Sequence, residues 1–176
     1  SITDPDTAQM ISDIIKKYSD KKNIVITDAN ANMGGNSINF AQNFDKVNSV
    51  EIIKKHCEIL ENNLRTYNLL DKVNIVCQDY LDVMMGLKQD VVFFDPPWGG
   101  PDYKKIRNLN LKLDDVNIID IINEIKTVSN MVVLRVPFNF DILGLLRRVD
   151  YENVNIIKIY GRNKFIRFYI IVLKKK

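Results

Sequence analysis

Asp95-Pro96-Pro97-Trp98 follows directly on an apolar run, Asp90 to Phe94, that reads as a buried-type strand. A carboxylate, two prolines and an aromatic ring at a strand end suit the task of holding a planar amine. The lone pair of such an amine is delocalised into its ring, so the group must be oriented as well as deprotonated. Asp95 and the carbonyl of Pro96 can accept its two N–H bonds and turn the lone pair toward an electrophilic methyl group. The Pro96-Pro97 pair fixes the backbone, so both acceptors are rigid before a substrate arrives. Trp98 offers a face on which a base can stack.

Other chemistries have little to work with. His56 is the only histidine, and it flanks the apolar stripe Ile53, Cys57, Leu60 and Leu64, which reads as a helix flank rather than a general base. A Ser-His-Asp triad therefore has no separate base to draw on. The two cysteines, Cys57 in a helical pattern and Cys77 in a strand pattern, argue for reduced thiols and against a zinc cluster, and no metal is expected. No apolar run reaches membrane-spanning length, and Ser1-Ile2-Thr3-Asp4-Pro5 has no signal-peptide character. An intracellular protein with no membrane partner is the expectation; nucleus and cytoplasm are not distinguished. A monomer is compatible with the sequence.

The chain has 176 residues, 46% of them hydrophobic and 27% charged, enough for one domain with a core of its own. Its formal charge of +3 is spread unevenly. Lys104, Lys105 and Arg107 follow the Trp98 loop, and Arg147, Arg148, Lys158, Arg162, Lys164 and Arg167 crowd the last quarter. This is either a solvated face or a nucleic-acid footprint.

Strand-like runs alternate with amphipathic helices, the pattern of an α/β fold with a mostly parallel sheet. Asp4 caps a first helix from about 5 to 19, with Met10, Ile11, Ile14 and Ile15 inward, and this N-terminal segment packs on the core. Strands are expected at 23–28, 46–51, 73–77, 90–94 and 131–136. Helices are expected at 36–43, 52–67, 80–85, 114–128 and 140–148. Two closing strands, 154–160 and 165–173, are too close for a crossover helix and form an antiparallel pair at the sheet edge. The seven strands make a Rossmann-like sheet with an antiparallel last strand.

Ligands of such sheets gather beyond the carboxyl ends of the strands. The first strand runs into Asp28-Ala29-Asn30-Ala31-Asn32-Met33-Gly34-Gly35-Asn36, where Gly34 and Gly35 let a ligand approach the backbone. The loop lacks the G-x-G-x-x-G spacing and a Walker lysine, against a dinucleotide or NTP site. The second strand ends at Glu51, suited to ribose hydroxyls. The third runs into Asp79, suited to an adenine amino group, and Tyr80, suited to covering a ring. Each feature alone also fits ordinary helix capping. Together with the Asp-Pro-Pro-Trp loop they make S-adenosyl-L-methionine the expected cofactor.

Two segments carry a family resemblance. Gly34-Gly35-Asn36-Ser37-Ile38-Asn39-Phe40-Ala41 resembles the segment after strand one of the trimethylguanosine synthases, and Asp95 through Tyr103 resembles their Pro-Pro-Trp-Gly-Gly-Pro-Asp-Tyr loop. Thr3-Asp4-Pro5-Asp6 resembles their entry segment. The resemblance implies a Rossmann-like class I methyltransferase acting on the exocyclic N2 of a 7-methylguanosine RNA cap. It implies Asp28, Asn30, Gly35, Asn36, Glu51 and Asp79 for the methyl donor, and Gly34, Tyr80 and Asp95 complete the candidate cofactor residues. Asp95, Pro96, Pro97 and Trp98 become the catalytic set, and Trp98, Asp95, Pro96 and Asn139 meet the base. The chain departs from the family at Asn30-Ala31-Asn32, usually an aromatic, Cys and Gly, and at Pro137-Phe138-Asn139, where the family has Arg between Pro and Asn. Arg135, two residues earlier, would face elsewhere if it lies in the strand. Upstream substrate-binding segments of larger relatives are expected to lie outside this chain. Adenine amino-group methylation, guanine-N2 methylation of ribosomal RNA and a catalytically inactive RNA-binding subunit are the alternatives. The presence of Asp95, Glu51 and Asp79 argues against the last.

Overall fold

A computed structural model describes residues 3–176 and divides them into two compact units, one ending at Phe93 and the other beginning at Phe94. Ser1 and Ile2, the start of the segment read as lacking signal-peptide character, lie outside the described residues. No helix among the described residues is long and apolar enough to cross a membrane.

The first unit is a parallel sheet with helices. Its strands are β1 (Val25–Asp28), β2 (Lys46–Val50), β3 (Val73–Val76) and β4 (Val91–Phe94), in the order β3-β2-β1-β4 and all parallel. All four residues of β4 are buried, as a strand covered on both faces requires. Helix α1 (Pro5–Tyr18) is capped by Asp4, whose carboxylate accepts from the Thr7 N–H at 3.0 Å. Its inner face is Ala8, Ile11, Ser12 and Ile15, with Met10 and Ile14 only half-buried. The stripe is rotated from the expected one because Ser12 donates to Asn39 of α2 (Gly35–Asn43), drawing a polar residue inward. Helix α3 (Lys54–Thr66) buries Cys57, Leu60 and Leu64 and leaves Ile53 exposed just ahead of its first turn. A short α4 (Tyr80–Val83) precedes β4.

The cysteines are bonded to each other, contrary to the reduced thiols expected. The amino end of α3 and the carboxyl end of β3 lie at the same edge of the sheet, bringing the Cα atoms of Cys57 and Cys77 to 6.0 Å, within bridging distance.

In the second unit β7 (Met131–Pro137) pairs antiparallel with β9 (Ile166–Lys174), and β9 with β8 (Asn153–Tyr160). The helix expected from 114 is instead α5 (Ile118–Ile125), capped by Asn117. The residues before it form a small hairpin, β5 (Lys112–Leu113) with β6 (Val116–Asn117). Asp114 turns it at φ +48, a conformation that short polar side chains tolerate. Helix α6 (Ile142–Arg148) starts after Asp141, not at Phe140, because the Asp141 side chain caps Gly144 and Phe140 is buried.

Gly34 starts α2 at φ +99, and a Cβ there would lie 2.6 Å from the Leu60 Cδ1 atom. Gly34→Ala is expected to cost about 1 to 2 kcal/mol, the penalty of a left-handed non-glycine residue, read as a lowered thermal midpoint. An unchanged midpoint would show that the turn relaxes without strain.

Candidate functional site

The expected cofactor residues of the first unit cluster at the carboxyl edge of its parallel strands. Asp28 ends β1 fully buried, and its Oδ2 accepts from the Ser37 hydroxyl at 2.7 Å, which accepts in turn from Ser49 at 2.8 Å. This chain of hydroxyls fixes the carboxylate to α2 and β2. Glu51 follows β2, with Oε2 accepting from the Asn32 N–H at 2.8 Å and Oε1 from the Ile53 N–H at 2.9 Å. It thereby pins the loop after β1, while a carboxylate retains further lone pairs for a ligand. His56, read as a helix flank, stands with Nδ1 3.6 Å from Glu51 Oε1.

Backbone bonds hold the same loop: Ala29 N–H donates to Phe93 O at 3.0 Å and Ala31 N–H to Val50 O at 2.9 Å. Gly34 and Gly35 open α2 directly after it. Asn36 donates to Thr3 through Nδ2. Among the described residues the buried side-chain oxygens of Asn30, Asn32 and Asn36 have no hydrogen-bond partner. Buried acceptors left unpaired are costly, so this cradle fits a ligand rich in N–H and O–H donors, as S-adenosylmethionine is. Asp79 caps α4 through the Leu81 N–H at 2.9 Å. Tyr80 is buried, with its hydroxyl 3.4 Å from Gln89 Oε1. Among the described residues no group of three His, Cys, Asp or Glu side chains is placed to hold a metal.

The second unit carries the Trp98 loop. Pro96 is buried and Pro97 exposed. Gly99 and Gly100 take φ +93 and +72, and a 3-10 turn, Pro101–Lys105, follows. Asn139 donates from Nδ2 to the carbonyls of Tyr103 at 2.7 Å and Ile106 at 2.6 Å, which braces this turn. Its Oδ1 is buried without a partner. The Trp98 ring meets Tyr103 edge-on at 5.3 Å, and Tyr103 lies 6.5 Å from Phe138. The indole Nε1 is buried without a partner.

Sequence reasoning missed Arg135. It lies in β7 and, rather than facing elsewhere, donates from Nη1 to Asp95 Oδ2 at 2.8 Å. Its guanidinium sits 4.5 Å from the Phe168 ring centroid and 5.4 Å from that of Trp98. The signal available in sequence was a lone cation inside an otherwise apolar strand, Met131-Val132-Val133-Leu134-Arg135-Val136. Such a residue needs a partner. Burial pushes the Asp95 carboxyl above the usual carboxylate range, and the Arg135 charge and hydrogen bond oppose that rise. Among the described residues Oδ1 takes no hydrogen bond, and the side chain as a whole keeps 19% of its surface exposed.

The chain has the fold of class I S-adenosylmethionine-dependent methyltransferases, Rossmann-like with a seven-stranded, mostly parallel sheet and an antiparallel last strand. It matches the O-methyltransferase TomG from Streptomyces achromogenes, solved with S-adenosylmethionine, at a TM-score of 0.70 and 13% identity over 99% of this chain and 82% of that one. Within that class the chain belongs to the RNA cap guanine-N2 methyltransferase family, whose profile matches residues 23–173. It is 37% identical over 163 residues to the uncharacterized protein L320 of Acanthamoeba polyphaga mimivirus, covering 88% of this chain and 59% of that protein. It is 32% identical over 129 residues to the trimethylguanosine synthase of Schizosaccharomyces pombe, covering 69% of this chain and 53% of that enzyme. The chain thus spans little more than half the length of these relatives.

Two outcomes follow from this geometry. Glu51→Ala is expected to weaken S-adenosylhomocysteine binding by about 1.5 to 3 kcal/mol, the range for hydrogen bonds to a charged group; titration calorimetry showing unchanged affinity would reduce Glu51 to a loop pin. Arg135→Gln removes the charge that opposes the raised Asp95 pKa. If transfer requires the ionised carboxylate, the acid limb of the pH-rate profile should move to higher pH, and an unmoved limb would separate Arg135 from the titration of Asp95.

Proposed function

We propose that this chain transfers a methyl group from S-adenosylmethionine to the exocyclic N2 of 7-methylguanosine in an RNA cap, forming 2,7-dimethyl- or 2,2,7-trimethylguanosine. The observation that carries this reading is the state of Asp95. Arg135 holds one of its oxygens, the other takes no hydrogen bond among the described residues, and Pro96, Pro97 and Trp98 follow it directly in the chain. Such a carboxylate is pre-set to accept one N–H of the base amine, with the Pro96 carbonyl accepting the other.

The bound cofactor supplies an electrophilic sulfonium methyl. The cradle of Asn30, Asn32 and Asn36 offers acceptors to its polar groups. Glu51 would take the ribose hydroxyls and Asp79 the adenine amino group, while Asp28 stiffens the loop. Asp95 and Pro96 orient N2 so that its lone pair faces the methyl group that a bound donor would supply. The methylated nitrogen is more acidic than its precursor, and the carboxylate that oriented it is the neighbouring acceptor for the departing proton. Trp98 stacks on the base. Because 7-methylguanine is cationic, the indole face favours it over guanine by about 1 to 2 kcal/mol once desolvated.

Membership in the family supports this substrate over an adenine amino group or ribosomal guanine. Asp95→Ala is expected to abolish transfer while leaving donor affinity within a few-fold, and equal loss of both would contradict the division of roles. Trp98 is the only tryptophan, so its fluorescence reports on its own site. Quenching should show tighter binding of 7-methylguanosine diphosphate than of guanosine diphosphate, and equal affinities would remove the physical basis for cap selection.

A further inference from the structure

The last 24 residues, 153–176, hold seven of the chain's 25 basic residues and none of its 22 acidic ones. The rest of the chain is therefore net negative, and the positive charge of the protein is concentrated on the β8-β9 hairpin and its tail. Lys158, Arg162, Lys164 and Arg167 are exposed there, and none forms an ion pair among the described residues. Two large aromatic side chains stand among them in solvent, Tyr160 at 58% and Phe165 at 74% exposure. Exposed rings of this size serve no core, and rings interleaved with unpaired cations suit an unpaired nucleic-acid strand.

The tip is built rather than loose. Gly161 N–H donates to Phe165 O at 2.9 Å, Lys164 N–H to Gly161 O at 3.0 Å, and Phe165 N–H to Asn163 Oδ1 at 3.3 Å. Lys164 takes φ +62 to close the turn. Lys158 and Tyr160 share one face of β8 by strand alternation.

Register fixes where this tip lies in its unit. Phe168 pairs with Pro137, the last residue of β7, so residues 160–166 extend beyond the end of that strand. The chain leaves β7 there through Phe138 and Asn139, which contact Tyr103 of the Trp98 loop. Arg135, two residues before Pro137, grips Asp95 and lies over Trp98.

We propose that the β8-β9 hairpin tip is a docking surface for the single-stranded RNA that follows the cap, with Arg162, Lys164 and neighbouring cations on its phosphates and Phe165 and Tyr160 stacking on bases. The identity of the strand rests on the cap-methylation reading; the polyanion chemistry of the tip does not.

The test uses an uncapped single-stranded RNA of about 12 nucleotides, within the span of such platforms, the same RNA with a 7-methylguanosine cap, and 7-methylguanosine diphosphate. The variants are Arg162→Gln combined with Lys164→Asn, in which Asn tolerates the left-handed turn, and Phe165→Ser. Wild-type protein should bind the uncapped strand with an affinity that falls as salt rises. The double variant should flatten that log-log salt dependence by about 1.4, the value for two released phosphate contacts on a single strand. Phe165→Ser should weaken the strand about fivefold or more. Both variants should methylate 7-methylguanosine diphosphate as wild type does and lose the advantage of the capped RNA over it. An uncapped strand that wild type fails to bind, or that the variants bind equally well, would overturn the proposal. Equal affinity for a duplex of the same sequence would also overturn it, since paired bases offer no free face. A wild-type protein that leaves the cap nucleotide unmethylated but still loses strand binding on these substitutions would refute the cap reading and support the hairpin surface.

Discussion

A single guanidinium governs how the Asp95 carboxylate is held. Asp95 is mostly out of water, and burial alone raises its pKa. Arg135 opposes that rise and fixes one carboxylate oxygen. Arginine suits the position because its planar cation can hydrogen-bond in its own plane and stack through its faces, here on Phe168 and beside Trp98. The pair is no guarantee of stability, since desolvating both charges offsets much of their attraction. Its value lies in geometry: one contact orients an acceptor and braces the ring on which the proposed base lies.

The first unit solves a related problem with neutral groups. Asp28 is fully buried, and the Ser37 and Ser49 hydroxyls answer its charge. Glu51 spends one oxygen on the Asn32 N–H and the other on the Ile53 N–H, so the residue assigned to the ribose also shapes the loop that approaches the cofactor. Three asparagine oxygens remain buried and unpaired around that loop. A rigid cradle with unmet acceptors resembles a site preorganised for donors more than it resembles a packed core.

Much of this was legible in the sequence because the strands of a parallel sheet read as continuous apolar runs and its site residues sit where those runs stop. Asp28, Glu51, Asp79 and Asp95 were expected at the ends of such runs, and the structure places each at or just beyond a strand end. Contacts set by tertiary placement were not legible. Arg135 looked like a strand residue facing elsewhere, since nothing local names its partner 40 residues away. The Cys57-Cys77 bond depends on α3 and β3 meeting at one edge. The helix expected from residue 114 begins only at Ile118, because Asp114 and Asp115 turn a hairpin and Asn117 supplies the cap. The inner face of α1 shifted because Ser12 found a partner in Asn39, which hydrophobic periodicity does not reveal.

In the proposed reaction a carboxylate, a carbonyl and an indole select and orient the N2 amine of a cationic guanine. Incubation of the protein with S-adenosylmethionine and 7-methylguanosine diphosphate, followed by fragmentation mass spectrometry, tests it most directly. One or two added methyl groups are expected, all on the exocyclic N2 of the base, with guanosine diphosphate a far poorer acceptor. An unmodified cap nucleotide, or a methyl group on the ribose or a ring nitrogen, would contradict it.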